Sequence, residues 1–312
     1  MGRMPTLGAP VTARQETGTQ PWRDGPATVS VPATSANLGP GFDSFGLAVD
    51  LRNEVTAEVV PHGLHVHVQG EGADLVARDE SHLVVRAARA TLALLDVAVP
   101  GLRISCCDRI PHARGLGSSA AAIVAGITVA KALVTDGDRL DQAAVLRLAA
   151  RLEGHPDNVA AAVYGGFTVA WRDATGARAL RLEPQVGAVA LVPDEPGSTA
   201  AARGLLPEHV AHSDAAWTAG RAGLLVAAVT GRPELLLAAT DDRLHQQYRA
   251  PAMPKTAALV TQLRAAGVAA MVSGAGPSVL VLHAGEPPEL AVPPGWVRQE
   301  LRIDLHGARV RG

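Results

Sequence analysis

The sequence predicts an α+β fold divided into two lobes, and three observations carry that prediction. The chain has 312 residues and is 47% hydrophobic, enough for a sizeable core, and chains beyond about 250 residues usually split into domains. Segments with strand and helix periodicity are mixed, without the strict βαβα order of a doubly wound sheet. Composition turns to Arg, Asp, Gly and Pro over 172–184, which sets the expected boundary between an N-terminal lobe, 27–172, and a C-terminal lobe, 173–312.

Residues 1–26 lack periodicity and the apolar core of a signal peptide, and are expected to form a disordered tail. The stretch 28–32 reads as a short strand leading into a loop of small residues. Segments 54–60 and 64–68 alternate as strands, 83–95 has helical spacing, and 102–107 alternates again. After a glycine loop, 118–134 reads as a long Ala-rich helix and 140–153 as a more amphipathic one. Strands are expected at 165–171 and 186–192. Helices follow near 199–206, 215–229, 233–240 and 256–266, with strands at 268–272, 278–283 and 297–304.

Bulk properties exclude several classes. Net charge is −2, from 28 basic and 30 acidic residues, and only 3% of residues are aromatic. Neither a nucleic acid nor an anionic membrane has an electrostatic reason to bind. The longest stretch without Asp, Glu, Lys or Arg, 265–285, is broken by SGAGPS and reads as two short buried strands around a turn rather than a membrane span. Cys106 and Cys107 are adjacent in one strand-like run, poor candidates for a bridge, which fits a reduced cytoplasmic setting. His65 and His67 alternate with Leu64, Val66 and Val68, so with His62 they read as an exposed strand face before they read as a metal site.

The chemistry concentrates in PHARGLGSSAA, from Pro111 through His112, Ala113, Arg114, Gly115, Leu116, Gly117, Ser118, Ser119 and Ala120 to Ala121. It sits between a strand and a helix. Two glycines let backbone approach an anion, the helix start offers free N–H groups, and two hydroxyls can bond phosphate oxygen or a metal. For the glycine pattern alone, an ordinary turn with a serine N-cap is an equal reading. A dinucleotide fingerprint wants the strand to enter the first glycine directly and an acidic residue about 20 positions on, and neither holds. A hydrolase elbow needs G-x-S-x-G, and a Walker loop needs GK[ST]. The only lysines, Lys131 and Lys255, do not follow glycine, and HRD and DFG are absent.

Two further loops of small residues, PATSANLGPGFD (32–43) and SGAGPS (273–278), also follow strands. Together the three segments resemble the signature motifs of the GHMP kinases, which include galactokinase and mevalonate kinase. Within that superfamily, PATSANLGPGFDSFGLAVDL (32–51), LEGHPDN (152–158) and QQYRAPAMP (246–254) are similar to the branch that acts on L-homoserine. The resemblance covers about residues 28–305. It implies a two-lobed α+β fold of mixed and antiparallel sheets with the site between the lobes. It also implies an ATP-binding N-terminal lobe and transfer of the γ-phosphoryl group to the homoserine hydroxyl on the route to threonine. Another alcohol within the same superfamily is the competing reading.

The same resemblance implies roles for individual residues. The loop 111–121 holds ATP. Ser119, with Ser118 as the alternative, and Glu153 ligate Mg2+, a hard ion satisfied by few protein oxygens. Asp43 meets the substrate ammonium, and Arg203 and Arg249 meet its carboxylate, which suits the arginine fork. Asn37, His155, Asn158 and Thr199 complete the substrate site, with Asn158, Thr199 and Arg203 nearest the chemistry. Asn158 stands where related kinases carry a catalytic Asp, so positioning and electrostatics are expected to replace a strong base. The family often has Asn where this chain has His82, so contact with adenine passes through imidazole or shifts to backbone. A homodimer is implied by analogy alone.

Overall fold

The computed structural model describes residues 20–311, so the expected tail lies outside the described residues up to position 19. Residues 20–26 do not form a free tail. The Arg23 N–H donates to Leu133 O at 2.7 Å, the Thr135 N–H donates to Pro21 O at 2.9 Å, and Trp22 bridges Val134.

In chain order the first half contains β1 (Ala27–Ala36), β2 (Phe45–Val60), β3 (Gly63–Gly70), α1 (Leu83–Leu94), β4 (Gly101–Asp108), α2 (Ser118–Leu133), α3 (Gln142–Glu153), α4 (Asp157–Tyr164), β5 (Phe167–Asp173) and β6 (Gly176–Leu182). The second half contains β7 (Gly187–Pro193), α5 (Thr199–Gly204), α6 (His212–Thr230), α7 (Leu236–Ala239), α8 (Gln246–Arg249), α9 (Pro254–Ala265), β8 (Ala270–Val272), β9 (Val279–His283), β10 (Trp296–Leu301) and β11 (Arg309–Arg311).

A seven-stranded sheet runs β11-β1-β2-β4-β3, with the β5–β6 hairpin attached to β2. All its pairs are antiparallel except β3 with β4. The split at β2 has a local cause. Pro32 pairs with Arg52 but Ala33 pairs with Val49, so Asp50 and Leu51 bulge out of the ladder beside a residue with no N–H. On either side of the bulge, β2 serves β4 through 54–60 and β5 through 45–47. The second sheet, β10-β7-β9-β8, is antiparallel throughout.

The expected boundary at 172/173 falls inside the β5–β6 hairpin. Its charged, solvated residues resemble a linker in composition, yet they form the outer pair of the first sheet, and the chain changes sheets between Leu182 and Gly187. The C-terminal β11 also returns to the first sheet. Nor does the main core stop at that boundary. One cluster joins Val29, Leu47 and Ile127 to Ala188, Ala190 and Leu280, while Val189 and Leu191 point the other way onto Leu259 and Leu263 of α9. That is the two-residue alternation of a strand buried on both faces. No helix among the described residues is long and apolar enough to cross a membrane.

Helix α4 was not legible. The expected helix 140–153 is followed by no expected element before 165, yet Gly154 is the left-handed C-cap of α3 and Pro156 is the N-cap of α4. The turn between them therefore joins two helices instead of ending one, and it places His155, Asp157 and Asn158 together.

Candidate active site

The loop 111–117 carries the chain from β4 to α2. Gly117 caps α2 in the left-handed region, φ +69°, and a Cβ there would collide with the Thr34 hydroxyl. Gly115, φ +75°, is pressed against the carbonyls of Ser273 and Gly276. The Ser273 hydroxyl closes the contact by hydrogen bonds to Gly115 O at 2.6 Å and Ser35 Oγ at 2.8 Å. The three small-residue segments are thus small because they pack backbone to backbone. No side chain caps α2, and no acidic residue occupies its first turn. Its N–H groups and positive dipole end remain available to an anion.

Two cavities meet at this helix end. One of about 510 Å3 is lined largely by apolar side chains, among them Val55, Val76, Val84, Ala122 and Ala125, with His82 at its wall. The other, about 130 Å3, is lined by polar and charged groups: Asn37, Glu153, His155, Arg203 and Arg249 among them. Ala113, Gly115, Ser118, Ser119 and Thr199 line both. The larger volume is of the usual size for a nucleotide or drug-sized ligand, and the smaller is well below that range.

At the junction Ser119 Oγ donates to Glu153 Oε2 at 2.7 Å. Burial pushes the Glu153 carboxyl above the usual carboxylate range, and the Ser119 bond only partly opposes it. His155 Nδ1 lies 2.8 Å from Asp157 Oδ1, and the Asn158 N–H donates to the same oxygen at 2.7 Å. The Asp157 bond raises the His155 pKa against the opposing effect of burial. The Thr34 hydroxyl donates to Asn158 Oδ1 at 2.8 Å, which fixes that amide.

Arg249 is 1% exposed, and burial pushes its pKa below the ordinary arginine value. NH1 reaches His245 Nδ1 and Gly274 O, both at 3.3 Å. Nε has no partner among the described residues, and no carboxylate pairs with the guanidinium there. A buried cation so placed favours an anionic ligand. Arg203 instead forks Asp43, NH2 to Oδ1 at 2.6 Å and NH1 to Oδ2 at 3.1 Å. Asp43 is absent from the wall of the small cavity and its carboxylate reaches it through Arg203, which departs from the direct contact the resemblance implies. Asn37 Nδ2 donates to Gly274 O at 2.8 Å, and its Oδ1 accepts from the Asp43 N–H at 3.0 Å. Asn37 therefore braces two loops as well as lining the cavity.

Of the loop residues, His112, Ala113, Arg114, Gly115, Leu116, Gly117, Ser118, Ser119 and Ala121 line one cavity or the other. Pro111 lines neither, and Ala120 is fully buried against the core. The Arg114 guanidinium is held by the carbonyls of Pro193, His112 and Asp194, so it ties the loop to the second sheet. His82 is 7% exposed and its Nδ1 has no partner among the described residues, while burial lowers its pKa and keeps the imidazole neutral. His65 and His67 are exposed on β3, and no group of three or more metal-binding side chains occurs among the described residues.

Several functional neighbours were missed from sequence. Thr34 orients Asn158. Asn53 Oδ1 accepts the N–H groups of Arg109 and Ile110, and its Nδ2 donates to Asp108, which holds the approach to the loop. Phe42 lies under both guanidinium groups, at 5.7 Å from Arg203 and 5.2 Å from Arg249. A buried polar residue inside a strand, as Asn53 is, was the only signal available.

The models for the GHMP kinases N terminal domain and the GHMP kinases C terminal domain match residues 82–166 and 224–292. The chain is 53% identical over 288 residues to a homoserine kinase of Streptomyces coelicolor, covering 90% of this chain and 93% of that one. It is 49% identical over 269 residues to a homoserine kinase of Mycolicibacterium smegmatis, covering 83% of this chain and 85% of that one. A crystal structure of homoserine kinase from Cytophaga hutchinsonii superposes with a TM-score of 0.79 at 25% identity, covering 92% and 97% of the two chains. The mixed α+β architecture is that of a GHMP kinase. Within that class the chain belongs to the homoserine kinase family.

Proposed function

We propose that this chain transfers the γ-phosphoryl group of ATP to the side-chain hydroxyl of L-homoserine, giving O-phospho-L-homoserine and ADP. The observation that carries the reading is the meeting of the two cavities at Ser118, Ser119 and Thr199. A nucleotide in the large cavity directs its phosphates to the N-terminus of α2, and a small zwitterion in the other brings its hydroxyl to the same point.

Phosphoryl transfer through a loose transition state asks mainly for alignment and charge neutralisation. The amides at the start of α2 and the guanidinium of Arg203 supply positive charge on the two sides of the transferring group. Asn158, fixed by Thr34, and Thr199 orient the hydroxyl. Neither carboxylate lining the small cavity is a free base: Glu153 is bonded to Ser119, and Asp157 to His155 and Asn158. Arg249 receives the substrate carboxylate. Asp43 receives its ammonium by exchanging part of its bond to Arg203.

Magnesium belongs to the same proposal, and the donor set fits it: one hydroxyl and one half-buried carboxylate oxygen side by side. Ser119 and Glu153 would hold the ion, which would supply positive charge to the phosphate oxygens. A cytoplasmic setting accords with the free thiols of Cys106 and Cys107. A homodimer is the expected assembly, to be checked by sedimentation.

The test is ATP consumption with L-homoserine, L-serine, mevalonate and galactose in parallel, with the product identified by 31P NMR. L-homoserine is expected to give the highest kcat/KM. Faster turnover of mevalonate or galactose would sink the substrate and leave only the kinase.

A further inference from the structure

We infer that His245 is a positioning residue: its imidazole holds the Arg249 guanidinium and the 37–43 loop in the arrangement that receives the substrate carboxylate. The inference rests on the assignment of Arg249 to that carboxylate.

His245 is fully buried at the start of α8. Its Nε2 lies 2.7 Å from Gly39 O. A carbonyl oxygen only accepts, so Nε2 carries the proton and Nδ1 presents a lone pair. Arg249 NH1 donates to that lone pair at 3.3 Å. One neutral imidazole therefore joins the first small-residue loop to the buried cation. Phe42, three residues beyond Gly39, stacks on the same imidazole, with centroids 5.2 Å apart and planes at 27°. The loop and the guanidinium are thus fixed relative to each other by one side chain that lines neither cavity.

Three charged groups face His245: Asp242, Arg249 and, farther off, Asp43. Asp242 Oδ2 is 3.5 Å from Nε2, but the carboxylate is engaged by the N–H groups of Leu244, His245 and Gln246 at 2.8, 3.1 and 2.9 Å. Burial pushes the His245 pKa below the ordinary histidine value, Asp242 opposes that, and Arg249 reinforces it. Protonation would set N–H against N–H and cation against cation at the Arg249 contact. The neutral form is the working form, and the contact weakens as pH falls.

Two replacements separate the two bonds. His245→Asn keeps an acceptor near the position of Nδ1 and is too short to reach Gly39 O. His245→Gln keeps a donor near Nε2 and offers no acceptor at Nδ1. Both, with wild type and Arg249→Leu, are assayed as the full chain for kcat and both KM values from pH 8 to pH 5.5. His245→Gln is expected to raise the homoserine KM about tenfold or more, as for loss of a hydrogen bond to a charged group, with the ATP KM within about twofold. His245→Asn is expected to restore most of the loss. Because burial holds the His245 pKa below the ordinary histidine value, the wild-type homoserine KM should show no His245 limb until the pH falls below that ordinary value. Equal effects of Asn and Gln, or parallel shifts of both KM values, would mean a merely structural histidine and overturn the inference. If neither variant folds, the wild-type tautomer decides, and imidazole 15N shifts that place the His245 proton on Nδ1 overturn the inference. A large effect of Arg249→Leu beside inert His245 variants removes His245 alone. An inert Arg249→Leu removes the carboxylate assignment and this inference together.

Discussion

The large cavity takes its walls mainly from residues 53–125, with additions from 197, 199 and 276. The small cavity gathers residues 37, 113–119, 153–158, 199, 203, 249 and 274–275. The first is therefore chiefly the work of β4, α2 and their neighbours in sequence, and its surface is mostly apolar. The second draws on six separate stretches of chain from both halves, and the charged groups Glu153, His155, Asp157, Arg203 and Arg249 are gathered on it. The difference follows from what each must bind. A base and its phosphates need an apolar slot and a helix end, which one β-loop-α unit supplies. A zwitterion needs opposite charges on opposite sides, and one short segment cannot place them there.

If that contrast holds, damage at the helix end between the cavities should harm ATP binding or the transfer itself, and damage on either side only one ligand. Gly117→Val should have the largest effect. The residue is left-handed and any Cβ meets Thr34, so ATP binding should fall below detection in calorimetry, with a drop of several degrees in Tm. A folded variant with normal ATP affinity would break the comparison at its centre.

Arg249→Leu comes next and belongs to one side only. Loss of a charge-assisted, bidentate contact is worth about 2–4 kcal/mol, or about 30- to 1,000-fold in the homoserine KM, with the ATP KM nearly intact. Arg249→Lys should recover only part of this, because an ammonium cannot match two oxygens. An unchanged homoserine KM in the folded Leu variant removes Arg249 from the site.

Glu153→Gln should lower kcat on the order of 100-fold while both KM values change little, since the carboxylate acts on developing charge at the junction. In the wild type, the raised Glu153 pKa moves its protonation into milder acid than an ordinary glutamate would show. The acid limb of kcat/KM for ATP, which reports the free enzyme, should therefore begin above the usual carboxylate range and vanish in the Gln variant. A limb that persists belongs to another group.

The smallest effect is expected at His82. The residue lines the large cavity, and its buried Nδ1 has no partner among the described residues, so His82→Ala should raise the ATP KM several-fold and leave the homoserine KM alone, a loss on the scale of one neutral hydrogen bond. Equal responses of the two KM values would blur the division between the cavities.

The nucleotide side was more legible in the sequence than the substrate side. PHARGLGSSAA announced itself because glycine, hydroxyl and helix start are neighbours in the chain. Ser119 and Glu153 were named from motifs, and the fold brings them into a hydrogen bond across 34 positions. Asp43 and Arg203 were named as separate grips on the substrate, but they hold each other across 160 positions. His245 was not named at all. A lone histidine before QQYR carries no local signal, and only the carbonyl of Gly39, 206 positions away, gives its Nε2 a partner.

The sequence by itself determined the α+β class, most of the strands and helices, the anion-binding loop and the family to which the chain belongs. Those depend on periodicity and on short runs of small residues, which are local properties of the chain. Only the tertiary structure decided that the β5–β6 hairpin stays with the first sheet, that β11 closes its far edge, and that one core passes through both halves. It also decided which ionisable groups are paired and which are left for a ligand. Strand partners and buried charges are selected by groups hundreds of residues away, and the free energy of a charge depends on what surrounds it in space, a quantity that spacing along the chain does not contain.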